Sequence, residues 1–124
     1  MKRIIMLAAV AGWMFAAAIA RAEDPVKVDP AHYKVEFENE TVRVLRIHYG
    51  PGEKSVMHSH PQAIAVFLTE HNNKMTYPDG RSEVMKGNAG EVMVTPGGDH
   101  LPENIGDKPM ELILVELKTP PAAK

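Results

Sequence analysis

The chain contains no cysteine. No disulfide can staple the fold, and no thiol can act as nucleophile, redox centre or metal ligand. A domain of about 100 residues buries enough surface to do without staples. Any chemistry must come from histidine, carboxylates, hydroxyls or a bound cofactor. Past the first 22 residues no segment shows a convincing helical period, and there is no second long apolar run. A basic patch is missing as well, which argues against nucleic acid as a partner.

The one long apolar run opens the chain. Lys2 and Arg3 precede an uncharged stretch from Ile4 to Ala20, and Ala20-Arg21-Ala22 precedes the polar Glu23-Asp24-Pro25. This order of parts describes a secretory signal peptide over residues 1–22, cleaved after Ala22. The alternative is a retained membrane anchor. The run is short for a span of roughly 20 residues and is interrupted by Gly12, which favours cleavage. Lys2, Arg3 and Arg21 fall in the leader, which leaves 11 basic against 16 acidic residues, a net charge of −5. The expected product is periplasmic or secreted, with no membrane contact after cleavage.

Residues 23–32 carry two prolines and three acids and read as an extended arm. Strand signals then recur. Tyr33 to Phe37 alternates apolar and charged, and Thr41 to Tyr49 is β-branched and alternating. Ser55 to His60 is a short candidate strand that ends at Pro61. Ala63 to Leu68 is apolar on both faces, so both should be buried. Asn72-Asn73 reads as a break. Lys74–Tyr77 and Arg81–Met85 flank Pro78-Asp79-Gly80 as a hairpin. Glu91 to Thr95 is a strand, His100 to Ile105 reads as short and irregular, and Met110 to Leu117 is the last strand. Eight or nine short strands with frequent turns predict an all-β antiparallel sandwich or small barrel.

Six histidines are present. His58 and His60 stand two apart in a candidate strand, so their side chains share one face. Two imidazoles side by side form half of a transition-metal site. Six histidines placed at random would give about 0.3 such pairs, so the pair needs structural context.

The surrounding spacing supplies it. Gly52, five residues, His58, one residue and His60 make one pattern. Gly90, five residues, Pro96, one residue, Gly98, then His100, three residues and Asn104 make another. In this order the two resemble the paired motifs of the cupin superfamily, with one residue fewer than usual between Gly98 and His100. The resemblance spans Tyr33 to Lys118, which sets a cupin domain at 33–118 and a tail at 119–124. It implies a small antiparallel jelly-roll barrel, a double-stranded β-helix, with His58, His60 and His100 pointing inward to hold one divalent metal.

The resemblance fails at one point. The family usually places a Glu four or five residues after the second histidine, where this chain has Ile64 and Ala65. The site is therefore similar to the three-histidine cupins, such as the thiol and diketone dioxygenases. Three neutral imidazoles leave the ion's double charge uncompensated, which favours Fe first, with Ni, Zn or Cu as alternatives, over Mn. It also favours a small anionic ligand in the open positions. Gln62 and Asn104 are candidates for supporting positions behind the ligands. Met57 and Met93 are assigned to packing. Arg43 and Arg46 either meet a substrate anion or sit on the outer face. His48 is assigned to a structural or exposed position, and His32 and His71 to solvent.

Two functions remain open from sequence. One is a non-haem, dioxygenase-like enzyme acting on a small anionic substrate. The other is a non-catalytic module that binds a metal or small ligand. A homodimer is the default by family analogy.

Overall fold

A computed structural model describes residues 22–119. The leader assignment over 1–22 therefore lies, except for Ala22, outside the described residues, as does 120–124 of the tail. One short helix, α1 (Pro25–Val28), precedes nine strands: β1 (Tyr33–Glu38), β2 (Val42–Tyr49), β3 (His58–His60), β4 (Ala63–Phe67), β5 (His71–Thr76), β6 (Ser82–Gly87), β7 (Val92–Thr95), β8 (Gly98–Asn104) and β9 (Met110–Leu117). They form a five-stranded sheet in the order β1-β2-β9-β4-β7 and a four-stranded sheet in the order β3-β8-β5-β6. Every strand pairing is antiparallel. No helix among the described residues is long and apolar enough to cross a membrane.

Strict alternation places the core. β9 buries Met110, Leu112 and Leu114 and turns the residues between them outward. β2 does the same with Leu45, Ile47 and Tyr49, and β4 with Ala63, Ala65 and Phe67. These side chains meet between the sheets as one cluster, with Met93 packed against it.

Several expectations need correction. Asn72-Asn73 is no break but part of β5, because ladder bonds to β6 override the weak strand propensity of asparagine. Residues 100–105 are not irregular. β8 runs to Asn104, paired with β3 on one side and β5 on the other, and it accommodates Pro102 opposite Met75. β4 is covered on its inner face alone. Ile64 and Val66 are half-buried, because nothing among the described residues packs over the outer face of the five-stranded sheet.

The arm is not extended. The Asp24 carboxylate caps α1 by accepting from the Val26 N–H at 2.9 Å, with Pro25 at the first helical position. The arm docks on β3, where the Ser59 N–H donates to the Glu23 carbonyl at 2.9 Å. His32 is not simply solvated. Its ring stacks on Tyr49 with centroids 4.3 Å apart and reaches Asp29 at 2.8 Å and Glu53 at 2.6 Å.

Candidate metal centre

β3 and β8 bring the three histidines together. His58 lies directly opposite His100, and His60 lies opposite Gly98, which presents no side chain to crowd it. Gly97 makes the approach feasible. A Cβ there would stand 2.7 Å from the Pro61 carbonyl carbon, so the β7–β8 turn lies flat against the end of β3. His58 is fully buried, His60 nearly so and His100 partly so. One ring nitrogen from each falls within 4.8 Å of the others, the sole such cluster among the described residues.

The tautomers follow from what surrounds the rings. His58 Nδ1 lies 2.8 Å from the Val56 carbonyl, which can only accept, so Nδ1 carries the proton and Nε2 presents its lone pair. That Nε2 is 3.0 Å from His60 Nε2. His60 Nδ1 faces the Glu116 carboxylate at 3.5 Å but forms no hydrogen bond, which leaves a buried polar atom without a partner. A cation between the rings resolves this. Both Nε2 lone pairs would then point to the ion and His60 Nδ1 would hold its proton toward Glu116. Two nitrogens each about 2.1 Å from one ion, at right angles, stand about 3.0 Å apart, as these two do. The donor set therefore fits a divalent transition metal.

Burial pulls His58 down to about 4 and His100 down to about 3, with the neighbouring rings adding to the effect. Both stay neutral and able to ligate at ordinary pH. Tyr33 Oη lies 3.1 Å from His58 Nε2 and 2.6 Å from Tyr49 Oη. Burial, reinforced by Tyr49, keeps the Tyr33 phenol protonated. Ser55 lies 3.3 Å from His58 Nδ1 and donates to Asp29 at 2.5 Å, so the docked arm steadies that ring from behind.

Glu116 was not singled out in the sequence, where it occupies a polar position of the last strand. Alternation along β9 was the signal, since Glu116 is in phase with Met110, Leu112 and Leu114 and is 2% exposed. Arg43 Nη2 holds its two oxygens at 2.8 and 3.0 Å and reaches Asp24 at 2.6 Å. Arg46 instead joins Glu36 and Glu111 on the outer face, so neither arginine lines the chambers beside the trio. Nor does the structure bring Gln62 or Asn104 to the trio. Gln62 is exposed in the β3–β4 turn, because the chain changes sheets there and alternation restarts at Ala63. Asn104 is buried near the other end of β8, its amide donating to the carbonyls of Tyr49, Gly50 and Lys108. His48 is exposed, and Met57 is half-buried.

Two chambers meet at His60 and His100. A mouth of about 320 Å³ is lined by His60, His100, Met75, Met93, Thr95 and others. Behind it, an inner space of about 60 Å³ is lined by the same five and by Tyr33, Ala65, Phe67 and Leu114 among others. The charged side chains at the mouth are Glu83 and Asp99, both acidic.

No protein-family model matches the sequence, and no curated protein matches it significantly. Solved structures do match. A cupin domain from Bordetella pertussis Tohama I superposes with a TM-score of 0.65 at 25% identity, over 70% of this chain and 92% of that one. An RmlC-like cupin family protein from Methanocaldococcus jannaschii gives 0.57 at 18% identity, over 68% and 77%. Oxalate decarboxylase of Bacillus subtilis, described with Mn(II) centres, gives 0.50 at 24% identity, over 66% of this chain and 23% of that one. The protein has the double-stranded β-helix fold of the cupin superfamily.

Proposed function

We propose that the protein is an exported, metal-dependent cupin enzyme that oxidises a small anionic substrate with O₂. The observation that carries the reading is the convergence of His58, His60 and His100, with His60 and His100 lining both chambers. A divalent ion bound there supplies Lewis-acid and one-electron chemistry. The protein's own groups do the rest. The trio orients the open positions toward the chambers. The inner space, about 60 Å³ against about 320 Å³ for the mouth, is the place for the smaller co-substrate. The larger mouth takes the substrate, whose apolar part meets Met75, Met85 and Met93. With Glu83 and Asp99 at the mouth, attraction for an anionic head must come from the ion's uncompensated charge. Tyr33, held protonated, offers a proton beside His58.

The test is metal analysis of protein purified without a histidine tag, then O₂ uptake with small chelating acids. His58→Ala, His60→Ala and His100→Ala should each lose most of the metal, and exposed His48→Ala should keep it. Uptake that vanishes with the trio supports the enzyme. Metal and ligand binding without uptake favours the non-catalytic module. Export is tested by intact mass, since cleavage gives a mature chain beginning at Glu23.

A homodimer is part of the proposal. Register aligns Phe37, Val44, Val115, Ile64 and Val94 in one row across all five strands of the first sheet. Phe37 is 54% and Val94 64% exposed, as is the neighbouring Val92. An apolar row of this length on an otherwise polar chain marks an interaction face, and a second copy of the same sheet is its complement.

A further inference from the structure

His71, assigned to solvent from sequence, is 7% exposed. Its ring stacks on Phe67 with centroids 3.7 Å apart. Its Nδ1 lies 3.0 Å from Asn73 Oδ1, to which it donates, so Nε2 presents a lone pair. That nitrogen is buried and has no hydrogen-bond partner. Its nearest charged neighbour is the Glu91 carboxylate at 3.5 Å, which is also an acceptor. A donor placed between the ring nitrogen and the carboxylate would satisfy both.

The space for that donor exists. His71 and Glu91 line a cavity of about 510 Å³, larger than the metal mouth and sharing no lining residue with it. Asn104 lines it four residues along β8 from His100, roughly 13 Å at strand rise, so it occupies the other end of the barrel. Asn72 Oδ1, another buried oxygen without a partner, belongs to the same lining. Gly87 keeps the approach open. A Cβ there would stand 2.4 Å from His71 Nε2 and 1.9 Å from Glu91 Oε2.

We propose that this pole is a second ligand site, independent of the metal, that binds a small primary amine through His71 and Glu91. An ammonium group is the matching chemistry. It carries three donors and no acceptor, and its charge complements Glu91. Lys86 lies on the rim and Lys108 is already paired with Glu70 at 2.6 Å. Phe67 and Asn73 also line the inner metal chamber, so one layer of side chains separates the two sites.

The test uses full-length mature protein, metal-loaded and labelled with ¹⁵N-histidine. Glycine, ethanolamine and acetate are titrated while the His71 ring nitrogens are followed by NMR. Glycine and ethanolamine should shift His71 Nε2 saturably, and acetate should not. Glu91→Gln, at an exposed position that tolerates the change, should weaken both amines about tenfold or more. Gly87→Ala should abolish binding with metal content unchanged. The proposal is overturned if neither amine gives a saturable shift, if acetate shifts Nε2 as ethanolamine does, or if Glu91→Gln binds as wild type.

Discussion

Glu116 stands behind His60. Its carboxylate lies 3.5 Å from His60 Nδ1, on the side of the ring opposite the nitrogen that faces His58. A carboxylate in that position fixes the tautomer and raises the basicity of a metal-binding imidazole. The chain thus lacks an acid at the usual ligand position yet places one a single ring further back.

Glu116→Gln should therefore keep the fold and weaken metal binding by about 10- to 100-fold. Glu116→Ala should in addition cost about 2 kcal/mol, because Arg43 loses one of its two carboxylate partners. Competition with a chromogenic chelator measures the first effect and urea unfolding the second. Wild-type affinity in Glu116→Gln would remove Glu116 from the site.

Acid should destabilise the metal-free protein well above the carboxylate range. His58 and His100 titrate at about 4 and 3 in the folded chain and near 6.5 unfolded, so the unfolded state takes up protons first. Their stabilisation is complete above pH 6.5 and is lost as pH falls from there through 4 and 3. His32 opposes this. Burial pulls it down, but Asp29 and Glu53 outweigh that and leave it raised, so its contribution is full below pH 6.5 and fades above. His32→Gln should leave the fall in urea midpoint between pH 6.5 and 4 as in wild type, and should remove the loss that wild type shows as pH rises above 6.5. A midpoint that is flat in both proteins would contradict the burial of the trio.

The missing ligand can be restored at one of two positions, and the structure chooses between them. The β3–β4 turn resets alternation, so Ala65 faces the inner chamber with His60 and His100 while Ile64 faces outward. Ala65→Glu should melt lower than wild type without metal and gain more from Mn²⁺. Ile64→Glu should show no metal-dependent gain. Melting curves with and without Mn²⁺ decide. An equal Mn²⁺ response from wild type and Ala65→Glu would mean that the chamber is not the open side of the metal.

Val94→Lys puts a charge at the edge of the apolar row while leaving the core untouched. Sedimentation should show wild type as a dimer and the variant shifted to monomer. A monomeric wild type would refute the interface.

The barrel, its strands and the trio were legible because β-branched alternation and the spacing of two glycine–histidine motifs are local signals. Three other features arise from contacts distant in sequence. The Glu116–Arg43–Asp24 chain joins residues 92 positions apart, and only its phase along β9 sets Glu116 off from the exposed acids. His71 sits beside two asparagines, a composition typical of loops, and becomes a buried strand residue because β6 bonds alongside it. Gln62 looked in phase with His58 and His60, but phase holds only within one sheet, and the chain changes sheets at Pro61.

Arg43 ties the start of the described chain to its last strand, with Asp24 on one side and Glu116 on the other. The surroundings of the trio are therefore finished only when β9 is in place. A nascent or half-threaded chain has His58, His60 and His100 but not the groups that set their protons and hold β3. Such a chain is a poor competitor for metal. An ion bound by the trio would therefore be selected where the last strand closes, and the metal pool at that place would weigh against the affinity order of free imidazoles.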